Sequence, residues 1–339
     1  MNDVHELIEK ILNADKCGDF FETQDETEIQ MAFRISSKMI HPDLCDDPQA
    51  SEAMEHLIKL YKDALRNIQN GTWEKTGSAY LDKHFILSNV QDISAFELGA
   101  RYVTPRSVTY IFDGGKKQYY DNFFTMMDRI YFGSKEMDRT YRGKVPSVKV
   151  YSPNLSANRS YVSLNKFENE YPMDLFLKAY KNKLGGRDIA WMISRMIDLC
   201  CFLLYSDIVL NGFTEENLFI NPDKHSIHVY GGWWYATKNL DPMIGTCRKV
   251  YSVMDSKTKT IKKSSFLTDI ESVRAICRRL VESKTDIPKQ ILDWINAGSI
   301  ENTIVEYERW DNALNKAYGP RKFVKFEAKP EDIYTQKRR

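Results

Sequence analysis

The stretch that decides the fold is DETEIQMAFRISSKMIHPDLCDDPQASEAMEHLIKLYKDALRNI, residues 25–68. Its first part sets Ile29, Ala32, Phe33 and Ile40 at helical spacing, with Arg34 and Lys38 on a different face. Its second part repeats Ala53, Met54, Leu57, Leu60, Tyr61, Ala64, Leu65 and Ile68 at intervals of three and four, the stripe of a packed helix. Between them Pro42 cannot continue a helix and pushes His41 away from helical dihedrals, and Pro48 precedes the next helical start. The pattern predicts a helical hairpin with a stiff, exposed turn at His41-Pro42-Asp43. An earlier helix places Val4, Leu7, Ile8, Ile11 and Leu12 on one face. Taken alone, the triplet is also what an ordinary turn would use, with proline fixing one dihedral and Asp43 capping the chain locally.

Outward from this hairpin, 339 residues suffice for two domains, and 42% apolar with 28% charged residues is an ordinary globular composition. The formal charge of +1 gives no global field toward nucleic acid or an anionic membrane, so a charge-driven partner must be met by a local patch. Cys17, Cys45, Cys200, Cys201, Cys247 and Cys277 show no CxxC spacing, which argues against a zinc ribbon or a disulfide framework. They read as reduced thiols of a cytoplasmic protein. Asp3, Glu6 and Glu9 interrupt any signal-peptide pattern, and the apolar run from Leu199 to Tyr205 is too short to span a bilayer.

Asn70-Gly71 and Gly77 mark a boundary near residue 75. Beyond it, 100–104, 108–112, 147–151 and 160–164 read as strands, Asp113-Gly114-Gly115 as a hairpin turn and 121–132 as a helix. The remainder is mainly helical: 173–180, the dense apolar helix 187–205, two short strands near 218–220 and 227–230, a helix 269–281, and helices from Ile287 to about Lys316. The lysines of 255–265, Lys257, Lys259, Lys262 and Lys263, read as a solvated mobile loop or as a basic surface for an acidic partner. Trp233, Trp234 and Tyr235 read as packing rather than a base-stacking platform. The division is 1–75, a linker 76–95, a second domain 96–326 and a charged, disordered tail 327–339.

Ala32-Phe33-Arg34, six spacer residues, His41-Pro42-Asp43, and then Met54 seven places before Tyr61 resemble the J-domain of DnaJ-type co-chaperones. Ser36 and Ser37 stand where that family usually has leucine and alanine. The resemblance implies that Arg34 and Lys38 steer association with an acidic groove on a DnaK-class heat-shock ATPase. It also implies that His41, Pro42 and Asp43 make the contact that triggers ATP hydrolysis there.

The order helix, loop, strand, turn, strand over 187–235 resembles the C-terminal lobe of the protein-kinase-like superfamily. Glu216-Asn217-Leu218-Phe219-Ile220 matches the end of its catalytic loop, and the aromatic pair Trp233-Trp234 matches its metal-binding motif. By the same matching, the catalytic aspartate position is Gly212 and the metal-binding aspartate position is Gly232. Phosphoryl transfer needs one carboxylate to hold magnesium and another to orient the hydroxyl, and glycine does neither. Asp207 and Asp223 are not at the matching spacing. Asp269 resembles the aspartate that supports the catalytic-loop backbone, or is a simple N-cap. Lys116, Lys117 and Lys149 are candidates for the nucleotide lysine, none in a convincing motif, and no glycine-rich phosphate loop is visible.

The expectation is therefore an α+β protein: a J-like hairpin fused to a bilobal pseudokinase, a small antiparallel sheet lobe over a helical lobe. It would act as a co-chaperone adaptor, docking on a DnaK-class ATPase while the second domain holds an unknown client or partner. No metal is implied, and residual ATP binding is left open. Such fusions look like proteins of large tailed bacteriophages, in which case the chaperone and the cytoplasm are the host's. The alternatives are an atypical phosphotransferase with relocated metal ligands and a pure scaffold.

Overall fold

The computed structural model describes residues 2–70, 73, 79–82, 85–155, 158–282, 284–299, 301–320 and 326–334, which fall into two compact units, Met1–Gln91 and Asp92–Arg339. The expected boundary residues Gly71 and Gly77 and the last part of the tail, 335–339, lie outside the described residues.

The first unit begins with α1 (Asn2–Leu12), α2 (Cys17–Phe20), α3 (Glu26–Met39) and α4 (Ala50–Asn70). Asp25 caps α3 by accepting from the Glu28 amide at 3.0 Å, so the acidic start of this helix is structural. The stripe of α4 is buried as its spacing demands: Ala53, Leu57, Leu60 and Ala64 pack with Ile8, Ile11, Ile29 and Ile40. Phe33 stacks on Tyr61 with ring centroids 4.2 Å apart. Met54 is only partly buried at the edge of this core. The unit closes with an antiparallel pair, β1 (Ala79–Asp82) and β2 (Phe85–Leu87), within the stretch expected to be linker.

The second unit opens with β3 (Asp92–Phe96), β4 (Gly99–Val103) and β5 (Ser107–Phe112), so the sheet starts four residues inside the expected linker. It continues through α5 (Lys117–Met127), α6 (Lys135–Tyr141), β6 (Val148–Leu155) and β7 (Arg159–Asn165). These five strands form one antiparallel sheet in the order β3-β4-β5-β7-β6. Gly114-Gly115 is not a hairpin turn: it leads from β5 into α5, and the tight hairpins lie at Glu97-Leu98 and 104–106.

The helical part holds β8 (Tyr171–Pro172), α7 (Met173–Tyr180), α8 (Gly186–Tyr205), β9 (Leu218–Asn221), β10 (Ser226–Val229), α9 (Arg248–Val253) and α10 (Ser256–Ile261). It ends with α11 (Phe266–Val281), α12 (Lys289–Asn296), α13 (Thr303–Tyr318) and α14 (Pro330–Tyr334). A small sheet of order β10-β9-β8 sits against α7 and α8. α8 is buried along most of its length, which its dense apolar sequence requires.

Two expectations are corrected here. The stretch 255–265 is not a loose loop: Asp255 caps α10 through the Thr258 amide at 2.9 Å, and Pro242 pairs with Lys263. The start of the expected disordered tail is α14, whose Ile333 is buried and whose Asp332 accepts from the Tyr180 hydroxyl at 2.6 Å. Among the described residues, no helix is long and apolar enough to cross a membrane.

Candidate functional site

The first candidate is the turn between α3 and α4. α3 stops at Met39, and the amides of Leu44 and Cys45 both close on the His41 carbonyl at 2.8 and 2.9 Å. That local closure frees the side chains of the triplet from any packing duty. His41, Pro42 and Asp43 are exposed, and the His41 Nδ1 accepts from the Asp43 amide at 3.2 Å. Arg34 and Lys38, one helical turn apart on α3, are exposed, and among the described residues neither has a carboxylate partner. Beside them Met31, Ile35 and Met39 form an apolar row open to solvent, and Leu44 after the triplet is 75% exposed. A surface that mixes unpaired cations with exposed large apolar side chains is suited to a protein partner.

The second candidate is built where the loop after α8 meets the segment after β10. Asp269 lies inside the first turn of α11, whose N-cap is Ser265, so it is not the cap. Its buried carboxylate instead accepts from the amides of Leu210 at 2.8 Å and Asn211 at 3.1 Å, fixing the loop backbone. Burial pushes that carboxyl up to about 7, against these two hydrogen bonds. Asn211, at φ 54°, donates its side-chain amide to the Tyr235 carbonyl and the Thr237 hydroxyl at 3.2 and 3.1 Å.

Held this way, Gly212, Asn217 and Gly232 come together. Asn217 Nδ2 donates to the Gly212 carbonyl at 2.8 Å, and its own carbonyl takes the amides of Tyr230 and Gly231. A Cβ on Gly212 would lie 2.7 Å from the Gly232 Cα, and one on Gly232, at φ +85°, would lie 2.7 Å from the Gly212 carbonyl oxygen. The two backbones are in contact where the expected carboxylates would need space. Asp207 and Asp223 are engaged elsewhere, with Lys238 at 3.5 Å and Asn169 at 3.0 Å.

Aromatic rings cover this point. Trp234 is buried with its ring 4.8 to 5.4 Å from those of Tyr110, Phe96 and Phe112. Tyr110, on the third strand of the sheet, presents its hydroxyl toward Gly231, and burial raises its pKa well above the ordinary value. None of the candidate lysines reaches here: Lys117 pairs with Asp121, Lys149 is exposed on edge strand β6, and Lys116 is the N-cap of α5. A cavity of about 200 Å³ beside this point is lined by Phe96, Glu97, Asn217, Trp234, Cys247 and Lys249 among others. Ligand pockets usually measure about 300–1,000 Å³.

Two polar ties close the sheet over the helical part, and pattern reading found neither. Arg101 of β4, almost wholly buried, donates to the Glu216 carbonyl at 2.6 Å and to Asp174 at 3.3 Å. Glu97 at the first hairpin accepts from the Tyr235 hydroxyl at 3.0 Å and the Arg248 amide at 2.9 Å. The one available signal was an arginine on a buried strand, which demands a carboxylate nearby. Among the described residues, no group of His, Cys, Asp and Glu side chains is arranged to hold a metal.

Neither a protein-family model nor a curated protein sequence matches the chain. Its structural neighbours include protein kinase domains. It is similar to vaccinia related kinase 3 over 67% of this chain and 86% of that one, at 10% identity and a TM-score of 0.45. It is similar to the BubR1 kinase domain over 67% of this chain and 80% of that one, at 10% identity and a TM-score of 0.47.

Proposed function

We propose that this protein is a J-domain co-chaperone adaptor: the first unit docks on a DnaK-class ATPase and stimulates its hydrolysis, while a kinase-like second unit that transfers no phosphate binds a client or partner. The observation that carries the first half is the exposed His41-Pro42-Asp43 turn, flanked on α3 by the exposed cations Arg34 and Lys38 and braced by the Phe33–Tyr61 stack. The second half rests on the backbone contact between Gly212 and Gly232, which leaves no place for the magnesium-binding and hydroxyl-orienting carboxylates of phosphoryl transfer. Asp269, whose buried carboxylate holds the Leu210 and Asn211 amides as the superfamily resemblance implies, supports the kinase-like reading.

The adaptor acts in the cytoplasm in this reading. Docking is tested by binding the full chain to an immobilised DnaK-class chaperone at rising salt. Affinity falls with ionic strength, and Arg34→Glu with Lys38→Glu weakens it at least about tenfold, because exposed charges act chiefly by steering. Binding that ignores both salt and the charge reversals contradicts the docking mode.

A further inference from the structure

The segment 238–263 carries a feature that the site above does not use. It holds seven lysines and arginines against two aspartates, Asp241 and Asp255, a net charge of +5 in a chain whose total is +1. Two of the cations are neutralised locally: Lys238 pairs with Asp207, and Lys249 with Glu215 and Glu216. Arg248, Lys257, Lys259, Lys262 and Lys263 have no carboxylate partner among the described residues. Asp255, which caps α10, and Asp241 are the only acids of the segment, and both are already counted in that net charge.

The same segment exposes four large apolar side chains: Leu240, Ile244, Tyr251 and Ile261 range from 40% to 62% exposure. Hydrogen bonds bring them onto one ledge. The Leu240 amide donates to the Ser264 carbonyl at 3.0 Å and the Met243 amide to the Lys262 carbonyl at 2.9 Å, so 240–244 runs beside the end of α10. Lys259 lies 5.1 Å above the Tyr251 ring, joining α9 to α10. Thr258 is buried under the helix, and Lys262 ends it at φ +52°. The ledge is already folded, so a partner would not have to order it.

We infer that this ledge is the partner-binding surface of the second unit, and that it takes an acidic peptide segment interspersed with aliphatic side chains. The inference gives the binding role proposed above a surface and a chemistry, and it does not depend on the chaperone contact. Nucleic acid fits less well, because exposed Leu240, Ile244 and Ile261 add nothing to phosphate contacts and the single aromatic face is covered by Lys259. An acidic, apolar partner uses both halves: charge for steering and register, aliphatic burial for affinity.

The test uses the full chain carrying His41→Gln, so that loss of chaperone docking cannot be mistaken for loss of this surface. Fluorescence anisotropy follows a labelled peptide of alternating glutamate and leucine, with a glutamate-only peptide, a short DNA duplex and phosphatidylserine vesicles as comparisons. The expected result is saturable binding of the mixed peptide, tighter than any of the three. Lys257→Glu, Lys259→Glu, Lys262→Glu and Lys263→Glu together weaken it at least about tenfold. Leu240→Ser with Ile261→Ser, charges intact, also weakens it measurably. Should the fourfold variant unfold, Lys257→Gln with Lys263→Gln carries the charge test. Equal affinity in all variants, absence of peptide binding, or tighter binding of any comparison ligand overturns the inference.

Discussion

At Gly212 and Gly232 the two backbones approach so closely that an added Cβ on either lies 2.7 Å from the other's backbone. In the proposed reading, placing an aspartate at either position should therefore not confer phosphoryl transfer. Gly212→Asp or Gly232→Asp is expected to destabilise the protein by about 1–3 kcal/mol or more through overpacking, with no gain of kinase activity. In the parent, saturating ATP with magnesium should leave the melting temperature unmoved, since only a ligand of the folded state raises it. A clear upward shift would favour the phosphotransferase reading. A second residue-scale consequence concerns Glu170, fully buried with one oxygen bonded to the Tyr230 hydroxyl at 2.6 Å and the other 3.1 Å from His228 Nδ1. Burial pushes the Glu170 carboxyl from 4.5 up to about 7 and the His228 imidazole from 6.5 down to about 4. The folded state therefore holds the Glu170 proton more tightly than the unfolded chain, and that contribution is lost as pH rises from 4.5 through 7. Glu170→Gln should gain on the parent by a few degrees of melting temperature between pH 5 and 7.5. A constant difference across that range would contradict it.

At the scale of elements, the hairpin of α3 and α4 was legible because its apolar period matched a helix over many residues, and Ala53, Leu57, Leu60 and Ala64 are buried accordingly. Met54, named by the same stripe, sits at its margin. Leu57→Ala should therefore cost about 2–5 kcal/mol and Met54→Ala clearly less, measured by denaturant unfolding of the full chain. Equal losses would contradict the difference in burial between the two side chains. β4, β5 and β7 were legible from aromatic and branched runs, whereas β3 was not, for a physical reason. Its pattern is inverted: Asp92 is buried against Arg101 at 3.4 Å, while Ile93 is 47% exposed. A strand that turns a carboxylate inward carries no hydrophobic period to read. Asp269 was readable in two ways, as loop support or as an N-cap, and Ser265 in the N-cap position decides for the first. For 255–265, a high lysine density suggested a loose loop, but buried Thr258 and the Asp255 cap suffice to fold it.

For the whole molecule, the net charge of +1 hides an uneven distribution, with the second unit's ledge strongly basic and the remainder of the chain negative. Length and turn signals suggest two bodies with a boundary near residue 75, and the compact units divide between Gln91 and Asp92. What they could not give is the closure of the second body, because Arg101, Glu97 and Trp234 act across long sequence separations. In the proposed function, one body would present a stiff turn to another protein's ATPase, and the other would be a kinase-like body that transfers no phosphate. The measurement that bears on this most directly is the ATP hydrolysis rate of a DnaK-class chaperone with the full chain added, compared with its His41→Gln variant of equal melting temperature. The account predicts acceleration by the parent chain and loss of that acceleration in the variant. Acceleration that survives His41→Gln, or none from the parent chain, would contradict it.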